Sequence, residues 1–252
     1  MAFALFLWAC DGKPCTDPPK YDERDEELVE RLDDMLDDAD AYDHQKTRVL
    51  KINDGLDDDR VEFRKEYQRI RRRMVNELVA VKPDADVFHA LLYDLHTVFM
   101  RYVYEVIDQS VKAHRWFTVE QRKAMTESWE EPPDDYKIPW STKRAIDLAM
   151  IEIKATDPQK ELVKKLRDDM EVRTDKLLKQ QHAVRMELIR EWHKKKVDPK
   201  VVRKLIDKGA LQISLFMHTF TDSAYEVQHA LTPQQRMWTN KQVNKLRYCQ
   251  EK

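Results

Sequence analysis

Apolar residues recur along this chain at intervals of three and four, which is the spacing of a helix face. In the first part of the chain they predict helices over 28–38, 45–79 with a break near 53–55, 84–116, and from 118. The later part repeats this plan over 141–153, 157–195, 198–229 and from 232. No segment alternates with a period of two for long enough to predict a strand. The pattern therefore predicts an all-α protein.

The two parts match without a gap when the chain is shifted by 114 residues along itself. Identical residues at this offset include Asp43 and Asp157, Gln45 and Gln159, Glu77 and Glu191, and Asp108 and Asp222. One constant offset over about a hundred positions indicates a tandem duplication. We expect an N-terminal segment (1–20), a first half (21–130), a proline-rich linker (131–140) and a second half (141–252).

Composition supports long helices, because only three glycines occur and 37% of residues are charged. Lys and Arg number 45 against 47 Asp and Glu, so the overall charge predicts no nucleic-acid partner. The charge is uneven, with 17 acidic and 6 basic residues over 21–62 and 10 basic and 4 acidic over 179–208. These runs are either solvated helix faces or a dipolar surface that attracts a charged partner.

The N-terminus is a short apolar run that ends at Cys10 and is too short to span a bilayer. Residues 7–10 fit the lipobox of a bacterial lipoprotein except for the bulky Trp8, so Cys10 is the predicted lipidation site. A plain apolar N-terminus is the alternative. Cys15 and Cys249 remain as a pair, but a Cys10–Cys15 bridge or free thiols fit the sequence equally well.

Threonine and glutamine recur three residues apart at predicted helix starts. The pairs are Thr118 and Gln121, Thr156 and Gln159, and Thr232 and Gln235. At such a spacing the threonine hydroxyl accepts from a first-turn N–H, and the glutamine reaches back to the threonine N–H. We assign all six residues structural capping roles.

Together, these motifs resemble the Spy/CpxP family of periplasmic helical proteins, which is named for a repeated Leu-Thr-x-x-Gln motif. The family also covers zinc-resistance proteins and heavy-metal sensors. Its unit is about as long as one half here, with four helices and two motifs. Tyr42 replaces a motif threonine, and Phe117 and Ala155 replace motif leucines. The resemblance implies a periplasmic, ATP-independent binder of unfolded or envelope proteins, in which two units form an intrachain pseudo-dimer.

The third helix of each half is apolar on more than one stripe. Both stripes are core, or part of this surface stays open to unfolded clients, where methionine and aromatic groups adapt to varied side chains. The candidate client-binding residues are Phe88, Leu92, Phe99, Val103, Phe216, Met217 and Phe220, with Arg69, Arg72 and Arg73 as a basic rim. The arginines are either solvated or speed the capture of acidic clients.

Metal sensing is the competing function. His89 and His96 lie seven residues apart and hence on one helix face. Without a third nearby ligand they are weak candidates, and the repeat places them opposite Arg203 and Ala210. No metal or other cofactor is therefore assigned.

An enzymatic function has little support, because the chain has no phosphate-binding glycine loop, Gly-x-Ser-x-Gly or His-Glu-x-x-His. Binding of one dedicated partner, such as a membrane sensor, stays open, because it requires the same apolar groove as general chaperoning.

Overall fold

The computed structural model describes residues 21–78, 80 and 82–248, and all regular structure in these residues is helical. This confirms the all-α expectation. The helices are α1 (Tyr21–Asp38), α2 (Asp43–Gly55), α3 (Asp57–Leu78), α4 (Ala85–His114), α5 (Val119–Ala124), α6 (Trp140–Glu152), α7 (Asp157–His193), α8 (Pro199–Ala230) and α9 (Pro233–Tyr248), with a 3-10 turn at Glu127–Trp129.

Helix boundaries recur at the offset of 114 residues. The starts of α2, α4 and α5 correspond to those of α7, α8 and α9, and the end of α1 corresponds to that of α6. The halves differ where α2 and α3 are separate helices and α7 runs straight through. Gly55 ends α2, and the matching position in α7 is Asp169. Glycine disfavours a helix interior by about 1 kcal/mol, which agrees with a break on this side alone.

The ends of α1 and α6 have the same backbone geometry. Asp40 and Lys154, at matching positions, have left-handed backbones with φ of 49° and 53°. The next residue in each case, Ala41 or Ala155, donates its N–H to a carbonyl five residues back, at 2.9 Å in both turns. This hydrogen bond is typical of a Schellman turn, which satisfies carbonyls left free at a helix end.

The turns that join α3 to α4 and α7 to α8 are also built alike. The side chains of Asp84 and Asp198 accept hydrogen bonds from the first turns of α4 and α8, each at 2.9 Å. The backbone N–H groups of the same aspartates donate to Glu77 at 2.6 Å and to Glu191 at 2.9 Å. Because the side chain and the backbone N–H of each aspartate are both hydrogen-bonded, each long hairpin closes in a defined geometry.

The four long helices pack in the spatial order α3, α4, α8, α7. The contact between the halves is therefore made mainly by α4 and α8, which run antiparallel. At one end of it, Tyr225 of α8 joins a buried cluster with Ile70 and Met74 of α3 and Phe88, Leu91 and Leu92 of α4. We call this the central cluster. The hydroxyl of Tyr225 donates to the carbonyl of Asp84 at 3.1 Å.

Each half also has an outer cluster at the far end of its long hairpin. The first contains Leu36, Ala39, Ala41, Ala113, Phe117 and Met125. The second contains Ile146, Met150, Ile153, Ala155 and Leu231. Leu36, Ala39, Ala41 and Phe117 match Met150, Ile153, Ala155 and Leu231 at the offset of 114. The two outer clusters therefore share these four positions, with different side chains at three of them and alanine in both at the fourth.

Two glutamines face each other beside each outer cluster; Gln45, Gln121 and Gln159 are buried and Gln235 is half-buried. Gln45 and Gln121 each donate to the other's side-chain oxygen at 3.1 Å, and Gln159 and Gln235 do so at 3.0 and 3.1 Å. Each glutamine oxygen also accepts from the backbone N–H at the start of its own helix. The remaining donors reach carbonyls across the fold, as Gln159 does to Ala230 at 2.6 Å. Each pair thus ties the starts of two helices together.

Removal of one member of a glutamine pair should destabilise the fold, because it leaves buried amide and carbonyl groups without partners. We expect Gln121→Ala and Gln159→Ala each to lower the free energy of unfolding by about 1–3 kcal/mol. Urea unfolding checks this, with the exposed Gln180→Ala as the matched control. If all three variants are equally stable, the paired amides do not hold the helix starts together.

Candidate functional site

The structure separates the candidate client-binding residues into buried and accessible groups. Phe88 and Leu92 are each 5% exposed and belong to the central cluster. Because α3 and Tyr225 cover both side chains, the prediction that these two contact clients requires them first to become exposed. Phe99 is 42% exposed, and Val103, Phe216, Met217 and Phe220 are half-buried.

Some of the exposed and half-buried apolar residues form a stripe on each of the two central helices. On α4 it contains Phe99, Val103 and Val106, and on α8 it contains Ile213, Met217 and Phe220. The spacing of four and then three residues places each set on one helix face. The two sets match at the offset of 114, and Phe99 and Ile213 have nearly the same exposure, 42% and 43%. We call these six residues the paired stripe.

Aromatic residues support one end of the stripe. The ring of Phe63 on α3 lies 6.4 Å from that of Phe99 and stacks on Tyr102 at 5.0 Å, measured between centroids. Phe99 therefore has a rigid neighbour while much of its side chain stays exposed. Such a group offers apolar area to a ligand at a small cost in conformational entropy.

Arg69, Arg72 and Arg73 are all exposed on α3. Arg73 lies 3.9 Å from Asp94 of α4, measured between charged atoms of half-exposed side chains. An ion pair of this kind adds little stability. The arginines thus contribute mainly positive charge to the surface of the first hairpin.

The structure brings His89 into contact with His218 of the other half, while His96 is half-buried on α4. The Nδ1 atoms of His89 and His218 are 2.5 Å apart, and the rings stack with centroids 4.7 Å apart. The Nε2 of His89 lies 2.8 Å from a carboxylate oxygen of Asp222. Among residues 21–78, 80 and 82–248, no group of three or more His, Cys, Asp or Glu side chains could hold a metal ion.

Contacts between the halves occur in matching pairs. Arg203 donates twice to Asp108, at 2.7 Å each, and its guanidinium lies 5.4 Å from the ring centroid of Tyr104. At the offset of 114, Arg203 corresponds to His89, Asp108 to Asp222, and Tyr104 to His218. The same polar contact is therefore built once with arginine and tyrosine and once with two histidines.

A second matching pair lies farther out on the same interface. His114, which is 3% exposed, contacts the carbonyl of Trp192 through its Nε2 at 2.9 Å. At the matching positions, the side chain of Gln228 donates to the carbonyl of Leu78 at 3.1 Å. Because a carbonyl only accepts, the Nε2 of His114 carries the proton. Each half thus donates to the last carbonyls of the other half's outer helix.

Arg122 is a buried cation that sequence reasoning missed. It is 3% exposed and donates to three carbonyls, those of His114 and Phe117 in the first half and that of Lys194 in the second. Burial lowers its pKa. The carbonyls belong to the C-terminal regions of α4 and α7, where the helix dipoles are negative. The guanidinium therefore links two helix ends: among the described residues its hydrogen bonds go to carbonyls, and the carboxylate of Glu120 acts on it electrostatically.

Comparison with protein-family models, curated proteins and solved structures finds no match for this chain. In the part of the chain that the structure covers, no helix has both the length and the apolar character needed to cross a membrane. The lipidation candidate Cys10, together with Cys15 and Cys249, lies outside the described residues.

The stability of the interface should fall in acid because of His114. Burial lowers its pKa, so as the pH falls the unfolded chain binds the proton first. The stability is complete above the unfolded pKa of about 6.5 and is lost as the pH falls towards the lower folded-state value. We expect His114→Gln to lose less stability than the native protein between about pH 7.5 and 5.

Glutamine is the matched substitution here, because Gln228 makes the same contact in the other half. Urea unfolding at both pH values gives the measurement. Equal stability of the two proteins near neutral pH shows that the hydrogen bond is kept. An identical loss in acid would exclude His114 as a source of the pH dependence.

Proposed function

We propose that this protein binds unfolded clients without ATP, on an apolar helical surface in the cell envelope. The observation that carries the proposal is the paired stripe, because Phe99 and Ile213 stay exposed at matching positions of both halves, flanked by half-buried apolar side chains. Scattered exposed apolar residues are normal, whereas a contiguous apolar surface marks an interaction site. Binding to such a surface requires no nucleotide and no cofactor.

We further propose that the chain is two Spy/CpxP-like units joined as an intrachain pseudo-dimer. The matching helix starts, the two glutamine pairs and the reciprocal contacts between the halves support this. In a pair related by two-fold symmetry, each contact occurs twice with the partners exchanged. The contacts of His114 with Trp192 and of Gln228 with Leu78 have this relation at the offset of 114.

The exposed arginines of α3 suit a partner with negative charge. Long-range attraction of this kind raises the rate of encounter and weakens as salt screens it. An unfolded chain with acidic and apolar residues would therefore be captured fastest. A dedicated envelope partner uses the same surface, and a pull-down from the envelope separates one dominant partner from a broad set of clients.

Replacement of both exposed members of the stripe should weaken client binding. We expect Phe99→Ser with Ile213→Ser to lower affinity for an unfolded model protein by roughly tenfold or more, since each side chain contributes about 1.5–3 kcal/mol when fully buried. Light scattering of an aggregating client measures the effect. Helical content must be unchanged by circular dichroism.

The matched control is Leu211→Ser with Leu215→Ser. These leucines are 58% and 59% exposed, but Thr97 and Arg101 stand at their matching positions, so they do not belong to a paired surface. If the control pair abolishes activity and the stripe pair does not, the paired stripe is not the client site.

We also propose that Cys10 carries a lipid anchor. Mass spectrometry of the mature protein from its native host should then show an acylated N-terminal cysteine at position 10 and lose that mass on Cys10→Ser. Cys15→Ser is the control and should keep the acyl group. An unprocessed Met1 would contradict both the anchor and the envelope location.

A further inference from the structure

The two ends of the α4–α8 interface carry related polar contacts that respond differently to protons. At one end, Arg203 pairs with Asp108 and lies over Tyr104. At the other, His89 pairs with Asp222 and stacks on His218. An arginine keeps its charge at any physiological pH, whereas histidine titrates near neutrality. The first contact is therefore permanent, and the second depends on protonation.

With both histidines neutral, every facing atom has a suitable partner. The carboxylate of Asp222 only accepts, so the Nε2 of His89 must donate to it across 2.8 Å. The Nδ1 of a neutral His89 is then an acceptor, and the Nδ1 of His218 donates to it across 2.5 Å. Hydrogen bonds run in one direction, from His218 through His89 to Asp222.

One additional proton is also accommodated. A protonated His89 donates from both ring nitrogens, to His218 on one side and to Asp222 on the other. His218 then stays neutral and accepts through its Nδ1. The contact gains an ion pair with Asp222, so this first proton strengthens it.

A second proton cannot be accommodated in the same geometry. With both rings protonated, two N–H donors face each other across 2.5 Å with no acceptor between them, and two positive charges are in contact. We propose that the His89–His218 pair is a proton-operated fastener, which holds α4 to α8 with no or one added proton and releases this end of the interface when it binds a second.

The charges around the pair agree with this order of protonation. Burial lowers the pKa of His218, and the neighbouring His89 and His96 of α4 lower it further, while Asp222 on its own helix raises it. Among the described residues, the charges that act on His218 come from these three groups and none from α3 or α7. His218 is thus the ring that is harder to protonate.

Release at this end would uncover the central cluster. Phe88 precedes His89 on α4, and its ring contacts Tyr225 of α8 at 6.1 Å between centroids. Phe88 is 5% and Tyr225 3% exposed while the helices are in contact. Acid would therefore add apolar surface next to the interface, and this release does not require that the protein bind clients.

Hydrogen exchange of the full chain tests the fastener, with the other end of the interface as an internal control. At about pH 5, we expect the start of α4 and the end of α8 to exchange about tenfold faster, after correction for intrinsic rates, than in the variant His89→Arg with His218→Tyr. That variant copies the Arg203–Tyr104 arrangement. Because His114 lies at the end of the interface that contains Arg203 and Asp108 and is itself acid-sensitive, both proteins carry His114→Gln, and that end should then stay protected in both.

Two results would overturn the proposal. One is equal loosening of the two ends of the interface in the His114→Gln protein that keeps His89 and His218, and the other is equal loosening of that protein and the Arg/Tyr variant at the His89 end. If the variant does not fold, NMR titration of the native imidazoles decides. We expect two separate steps, the second well below the first, and two fully protonated rings in a still protected interface would exclude the fastener.

Discussion

The packing of α4 against α8 is the constraint on which the rest of the fold depends. A hairpin of two helices can cover only one side of each apolar helix, so each half needs the other to bury the second side. Tyr225 shows this directly, because it comes from the second half and completes a cluster that is otherwise built from the first. Burial raises its pKa to about 12, so the phenol stays neutral as it donates to the carbonyl of Asp84.

The ends of the long helices depend on a different interaction, the satisfaction of backbone groups that a helix leaves free. Glutamine pairs bind the starts of two helices on each side, and Arg122 donates to carbonyls at the C-terminal ends of α4 and α7. A buried cation without a carboxylate is normally costly. Here the negative C-terminal ends of α4 and α7 stabilise the charge of Arg122. Because these helices belong to different halves, Arg122 also links the halves.

The sequence predicted the helices well because their start signals are local. Thr118, Thr156 and Thr232 each precede a helix, and the break near Gly55 separates α2 from α3. It did not show which of two apolar stripes α4 would bury, since both have helical spacing. Phe88 and Leu92 are core because of the rotation of α4 relative to α3 and α8, which is a tertiary property.

The partners of His89, Arg122 and His114 were also beyond sequence reasoning. His89 and His218 are 129 residues apart, and their contact depends on the axial register of α4 and α8. One signal was present in the chain: once α4 and α8 are known to be antiparallel, the offset of 114 relates His89, His218 and Asp222 to Arg203, Tyr104 and Asp108. The repeat relates the residues of the two contacts, but the contacts can be recognised only once the geometry of the interface is known.

If the chain is the tandem duplication that we propose, later divergence accounts for the difference between the two ends of this interface. Two identical halves would give identical contacts at both ends and therefore one common response to pH. At matching positions, one end has Arg203 and Tyr104, and the other has His89 and His218. The two ends therefore respond differently to pH, although the packing positions are the same. The surface stripe has not diverged in this way: the polar contacts differ between the halves, whereas Phe99 and Ile213 have nearly equal exposure. A joined pair of units can thus assign a permanent contact to one end and a conditional one to the other, which an assembly of two identical chains cannot do.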